Sequence, residues 1–292
     1  MHEPNGLDKK PPPPTIAALK AVCRKGGETS QADPFWISRY LYRGWTIYWT
    51  WAAARLGLTA NSVTLISGIA LWCAAVLYGQ PHGWLWLIGA LLVQIYFILD
   101  HVDGELGRYE KQILGRNTGL SGVFYDSACH PGEAAVLVTI AMRQWIDLGQ
   151  PTWLLVLTVL MMFPGHISPW HRYCETLVVY LRRRTNDPET ALKPEFLWPS
   201  SMSAPNVGGR TMQLTLRAKI VSAILQTLGF PGYFLTLALC TVLDVAPGVP
   251  KLVIGEQAFP YLVLWLIIRA VHNAASGTKT TLQSGRRLRE LT

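Results

Sequence analysis

Charge is what this 292-residue chain has least of: Asp, Glu, Lys and Arg together make up 15% of it, against about a quarter in ordinary soluble domains. Half of the residues are hydrophobic, which excludes an intrinsically disordered chain, since that would need high charge and low hydrophobicity. Cysteine is sparse as well. The five cysteines show no Cys-x-x-Cys spacing and four sit in apolar runs, so a disulfide-rich secreted scaffold is excluded and buried thiols are expected. No compact apolar core with a small-residue cleavage site follows the first basic residues, and no signal peptide is expected. Acid is scarcer than base, and the net charge of +8 fits either a nucleic-acid partner or a membrane protein with basic cytosolic loops.

Position along the chain decides between them. Residues 1–32 hold Lys9-Lys10 and the run Pro11 to Pro14 without a hydrophobic period, the pattern of a flexible cytosolic tail. Asp33-Pro34 then opens a stretch, 33–58, that mixes Trp36, Tyr40, Trp45, Trp49 and Trp51 with Arg39, Arg43 and Arg55. Such a segment suits an amphipathic helix at the membrane surface, with rings at headgroup depth and guanidinium groups near phosphates. Apolar runs long enough to cross a bilayer follow at roughly 62–79, 83–104, 120–142, 152–171, 216–243 and 259–276. The expected architecture is therefore an all-α integral membrane protein: the interfacial helix, a six-helix transmembrane domain over 59–276, and a cytosolic tail over 277–292.

With the N-terminus in the cytosol, 23 of the 26 Lys and Arg residues fall on the cytosolic side, so both termini are expected there. The basic excess is then a matter of topology, and no nucleic-acid partner is expected.

In so apolar a chain, Asp100, Asp103, Asp126 and Glu133 stand out because they fall within or at the cytosolic ends of the second and third runs. A carboxylate at membrane depth costs several kcal/mol unless paired or metal-bound. Asp100 and Asp103 are three apart and share a helical face, and a short loop brings Asp126 to the same depth. Three convergent carboxylates favour hard divalent cations such as Mg²⁺ or Mn²⁺.

The stretch reads Asp100-His-Val-Asp103-Gly104-Glu-Leu-Gly107-Arg108, then Gly122-Val-Phe-Tyr-Asp126-Ser-Ala-Cys-His130. It resembles the signature of the CDP-alcohol phosphotransferase family, D-x2-D-G-x2-A-R-x8-G-x3-D-x3-D, at Asp100, Asp103, Gly104, Arg108, Gly122 and Asp126. The resemblance implies a six-span membrane enzyme, working as a homodimer, that transfers a substituted phosphate group from a CDP-alcohol to an alcohol acceptor and releases CMP. The expected donor is CDP-diacylglycerol, the setting phospholipid biosynthesis, and the place the bacterial inner membrane with a cytosolic active site. Two Mg²⁺ or Mn²⁺ ions would be held by Asp100, Asp103 and Asp126. Gly104 and Gly107 would allow close approach of the nucleotide, Arg108 would pair with phosphate and Gly122 would also line the substrate. Small residues that pack helices are the alternative for the two glycines.

Three positions depart from the signature. Gly107 replaces Ala, thirteen residues rather than eight separate Arg108 from Gly122, and His130 stands where the family has its fourth Asp. Imidazole suits general-base work near neutral pH but is a poor Mg²⁺ ligand. His130 is therefore expected to be the base, with Glu133 one turn on orienting it or supplying the missing negative charge; a degenerate site that binds without turnover is the opposing reading. Upstream, Leu58-Thr-Ala-Asn61-Ser-Val-Thr64 partly resembles the family's Leu-Thr-Pro-Asn-x-x-Thr segment, which implies substrate contact for Asn61 and Thr64, with a helix cap as the other role for Asn61. His166, His171, Arg172, Arg182 to Arg184, Arg210, Arg217, Lys219, Arg269, His272 and Asn273 could hold a phosphorylated acceptor or simply anionic lipid. A membrane prenyltransferase, which also binds diphosphate through Asp and Mg²⁺, and an ion transporter with intramembrane acids are the rival classes.

Overall fold

The computed structural model describes residues 14–23, 41–116, 119–149 and 232–248, with isolated positions between 151 and 177. All regular structure among the described residues is helical, with no strand. The helices are α1 (Ile16–Cys23), α2 (Arg43–Arg55), α3 (Ala60–Tyr78), α4 (Gly83–Gln112), α5 (Gly119–Leu148) and α6 (Gly232–Val245). Two of them, α3 and α4, are long and apolar enough to cross a membrane. They cover the first two expected spans, and α4 runs on past residue 104 to Gln112. The third expected span lies in α5, which is as long as α4 but carries Asp126, His130 and Glu133 in its first half. Of the fifth expected span, α6 represents the last part; the fourth, apart from isolated positions, and the sixth lie outside the described residues.

The turn between α2 and α3 follows from local chemistry. Gly57 has φ +72°, a left-handed conformation open to glycine at little cost. It closes α2 in a Schellman arrangement: Leu58 N–H donates to the Ala53 carbonyl and Gly57 N–H to that of Ala54. Thr59 then takes an extended conformation and its Oγ1 accepts from Ser62 N–H, so the N-cap of α3 is Thr59. Asn61, for which a cap is one of the two roles read from the sequence, lies inside the first turn.

Helix α3 is the spine. It packs antiparallel along α4, with Ala60 at Gly107, Thr64 at Asp103 and Tyr78 at Gly89, and parallel along α5, with Asn61 at Ser121, Leu71 at Gly132 and Gly79 at Thr139. Gly68 is needed for the second contact: a Cβ there would overlap Cys129 Sγ. Helices α4 and α5 meet mainly through side chains across α3, as in the Tyr96–Glu133 hydrogen bond. The main core joins Leu71, Ala74 and Tyr78 of α3 with Val93, Tyr96 and Phe97 of α4, Val136 and Ile140 of α5, and Phe234 and Leu237 of α6.

The outer faces are apolar. Leu65, Ile66, Ile69, Trp72 and Val76 of α3 and Trp84, Ile88 and Leu91 of α4 are exposed, and only 44% and 39% of the most apolar windows of these helices are buried. Helix α2 buries Ile47 and Ala53 beside polar groups and keeps aromatic rings outside. Its inward face includes Thr46 and Thr50, which donate to Glu105 Oε1 and Oε2 at 3.0 and 2.6 Å, while Trp45, Tyr48 and Trp49 face outward. The stretch expected as a flexible tail also differs in part: residues 16–23 form α1, whose Leu19 and Cys23 are fully buried against α2 and α4.

Candidate functional site

The acidic residues singled out in the sequence lie on two helices that flank α3. Asp100 and Asp103 are on α4, Asp126 is on α5, and all three are half-buried. The antiparallel register of α4 and α5 relates them, because the pairing of Tyr96 with Glu133 brings Asp103 and Asp126 to one level.

Thr64 organises the floor. Its Oγ1 lies 2.6 Å from Asp103 Oδ2 and donates to it, and Asp103 is also hydrogen-bonded by the Gly104 backbone. The Thr64 carbonyl accepts from Ser67 Oγ at 2.7 Å and from Cys129 Sγ at 3.3 Å, so all three helices converge on this residue. Thr64 touches a carboxylate proposed as a ligand, which a reading confined to substrate contact does not include.

Asn61 Nδ2 donates to Ser121 Oγ at 2.8 Å and ties the start of α3 to the start of α5, while its Oδ1 is buried without a hydrogen-bond partner. Gly122 is half-buried one residue further along α5. The two motif glycines part company. Gly107 faces Ala60 of α3, whose Cβ is 3.7 Å from the point where a Gly107 Cβ would stand. Gly104 is exposed, and among the described residues the atom near its missing Cβ is Arg108 Nη1 at 3.6 Å. Gly104 thus offers open backbone beside a cation.

His130 is half-buried on α5. Its Nδ1 is buried without a hydrogen-bond partner, 4.0 Å from Glu133 Oε1. That same Oε1 accepts a 2.7 Å hydrogen bond from Tyr96 Oη. Tyr96, almost fully buried on α4, feels the charges of Glu133, Asp100 and Asp126. The sequence signal for Tyr96 is faint but present: a phenol in an apolar helix needs a partner for its hydroxyl, and residue 96 is two turns from Asp103 on the same face.

Whether these residues suit a metal ion can be judged from their chemistry. Three carboxylates on two neighbouring helices, with one hydroxyl and one backbone donor on Asp103, leave net negative charge that a hard cation would offset. Among the described residues, no three of His, Cys, Asp and Glu stand close enough together to hold a metal ion in this arrangement. The donor set fits in atom type and charge; the spacing is open.

The basic and histidine residues considered for acceptor binding, from His166 to Asn273, lie outside the described residues. Comparison of the chain with family models, with curated proteins and with solved structures finds no match.

Proposed function

We propose that this protein is an integral membrane transferase of the CDP-alcohol phosphotransferase type, which moves a substituted phosphate group, phosphatidyl in the first instance, from a CDP-alcohol to an alcohol hydroxyl. The observation that carries this reading is the placement of Asp100 and Asp103 on α4 and of Asp126 at the same level of α5, set by the Tyr96–Glu133 hydrogen bond, beside an exposed Gly104 and the Arg108 guanidinium. Three acids with one cation beside open backbone suit a diphosphate neutralised by divalent metal.

Asp100, Asp103 and Asp126 would hold Mg²⁺ or Mn²⁺, which would offset the charge of the diphosphate and polarise the reacting phosphoryl group. Arg108 binds a diphosphate oxygen, and Gly104 lets the nucleotide approach the helix. His130 Nε2 takes the proton of the acceptor hydroxyl. The oxygen so freed bonds to the phosphorus beside the lipid, and the bond from that phosphorus to the CMP oxygen breaks, releasing CMP. Glu133 would accept from His130 Nδ1–H and stabilise the charged ring, with Tyr96 fixing Glu133.

The finer architecture is part of the proposal: six spans, an interfacial α2, both ends in the cytosol of a bacterial inner membrane, and a homodimer. The apolar outer faces of α3 and α4 suit contact with lipid. The outward tryptophans of α2 suit headgroup depth.

A second reading, binding without turnover, is favoured by one observation: the His130 ring nitrogen stands 4.0 Å from Glu133 and unpartnered. One experiment separates the two. Purified protein in detergent is given CDP-diacylglycerol, Mg²⁺ or Mn²⁺, and serine, inositol, inositol phosphate, glycerol phosphate or choline in turn, and CMP and the lipid product are measured. Metal-dependent CMP release with one acceptor supports the transferase. CDP binding without CMP release supports the degenerate site, and neither binding nor release overturns both.

A further inference from the structure

Helix α1 lies in a stretch with the composition of a tail, yet it is docked on the helix that carries the acidic motif. Leu19 and Cys23 are fully buried, in one cluster with Val102, Leu106 and Tyr109 of α4 and Ile47 and Ala53 of α2. The carbonyl of Cys23 in α1 accepts a 2.6 Å hydrogen bond from Arg108 Nε. A guanidinium group donates strongly to a main-chain carbonyl, and such charge-assisted bonds are short.

Arg108 is held in this way at Nε. While Nε faces Cys23, Nη1 lies over Gly104, 3.6 Å from the position of its missing Cβ, and the group interacts with the charges of Glu105 and Asp103. The donors of Nη1 thus stand over the open backbone where a diphosphate would approach. Without α1, the long side chain would be free to leave this pose, and a ligand would have to immobilise it on binding.

We propose that α1 is a positioning strap: docked through Leu19 and Cys23, it fixes the Arg108 guanidinium over Gly104 for a diphosphate-bearing ligand. What Arg108 meets rests on the function proposed above; the docking of α1 does not.

Cys23 reports the docking. Burial, reinforced by the Glu105 carboxylate and partly opposed by Arg108, pushes its thiol up to about 12, whereas an exposed cysteine ionises near about 8.5. At pH 8 a docked Cys23 is covered and protonated, and an undocked one reacts with maleimides.

The test compares the full chain with Leu19→Glu, Leu19→Met, Arg108→Ala and the Leu19→Glu/Arg108→Ala pair. N-ethylmaleimide labelling of Cys23 is followed by peptide mass mapping, with CDP affinity and the KM and kcat for CDP-diacylglycerol measured alongside. Leu19→Glu is expected to expose Cys23, weaken CDP binding and raise KM about tenfold, the size of one lost hydrogen bond to a charged group, with kcat within about twofold. Leu19→Met keeps wild-type behaviour. Arg108→Ala weakens CDP binding by itself, and Leu19→Glu adds nothing to it. Exposure of Cys23 with unchanged CDP affinity overturns the strap, as does full additivity in the double variant or rapid labelling of wild-type Cys23. Should Leu19→Glu fail to purify as a single species, Leu19→Ala carries the same comparison. A wild-type protein that keeps Cys23 covered but neither binds CDP nor releases CMP sinks the proposed function and the strap's role in it, while the docking stands.

Discussion

Thr64 of α3 and Asp103 of α4 are joined by a 2.6 Å hydrogen bond, with the hydroxyl donating and the carboxylate accepting. The bond crosses the contact between the two helices that are long and apolar enough to span a membrane, and it fixes one oxygen of a carboxylate whose neighbours are Asp100 and Asp126. Thr64 is therefore expected to act through Asp103 as a positioning residue.

Thr64→Val keeps the shape and removes the donor. A buried acceptor that loses its donor costs about 1–3 kcal/mol, and here the loss falls on a proposed metal ligand. The Mn²⁺ concentration for half-maximal CMP release is expected to rise about tenfold or more, and Thr64→Ser to restore it. A metal titration of the three proteins, with helicity as a control for folding, decides. An unchanged Mn²⁺ requirement in Thr64→Val would remove Thr64 from the site.

How far the sequence foretold this arrangement depends on the range over which each signal acts. Helices α3 and α4 are legible because nearly every residue over some twenty positions is apolar, and the level of the acids is legible because Asp100 and Asp103 share a face ahead of a short connection. The docking of α1 is not, although Ile16, Leu19, Lys20 and Cys23 do face inward at helical spacing. Eight residues hold too few turns for a period to emerge, and their helicity depends on the α2 and α4 surfaces they bury. In the sequence Asn61 stands as one possible cap of α3; Gly57 ends α2 two residues before Thr59, which takes the cap instead. The Tyr96–Glu133 contact depends on the register of two separate helices, which no local pattern encodes.

The proposed base can be tested apart from its supports. His130→Ala is expected to lower kcat about a hundredfold or more, the ordinary contribution of a general base. His130→Asp, which restores the residue type of the signature it resembles, is expected to retain turnover. Glu133→Gln and Tyr96→Phe act through the orientation of His130, so each is expected to cost about tenfold in kcat and to add little to His130→Ala. Turnover that survives His130→Ala unchanged would end the base assignment, and full additivity with Tyr96→Phe would end the relay.

The seat of α2 on α4 is a polar one, with Thr46 and Thr50 both donating to Glu105. Glu105 is almost fully buried, so removal of its carboxylate strands the Thr46 hydroxyl, while Thr50 Oγ1 falls back on the Thr46 carbonyl at 3.0 Å. Glu105→Ala is expected to lower unfolding stability by about 1–3 kcal/mol, roughly one stranded donor, whereas the triple change Glu105→Leu, Thr46→Val and Thr50→Val restores part of it by leaving no hydroxyl unpaired at this seat. Thermal unfolding in one detergent at fixed lipid content measures both. Equal stability of wild type and Glu105→Ala would show that this network does not hold α2 in place.

Two glycines separate packing from substrate approach. A Cβ at Gly68 would overlap Cys129 Sγ, in a contact where helices α3 and α5 run side by side. Gly68→Ala is therefore expected to force those helices apart and to cost about 1–3 kcal/mol of stability, as overpacking does. Gly104 is the reverse case: it is exposed, and among the described residues its missing Cβ would meet the flexible end of Arg108 at 3.6 Å. Gly104→Ala is expected to leave the unfolding temperature within about a degree or raise it, since alanine favours the helix by about 1 kcal/mol. Any loss of CDP affinity in that variant then reports the ligand's need for bare backbone. Because Gly107 already packs on Ala60, Gly107→Ala serves as the intermediate. Full CDP affinity in Gly104→Ala would mean that the nucleotide does not approach α4 at this point, and the site would have to be built on the α5 side, around Gly122 and Asp126.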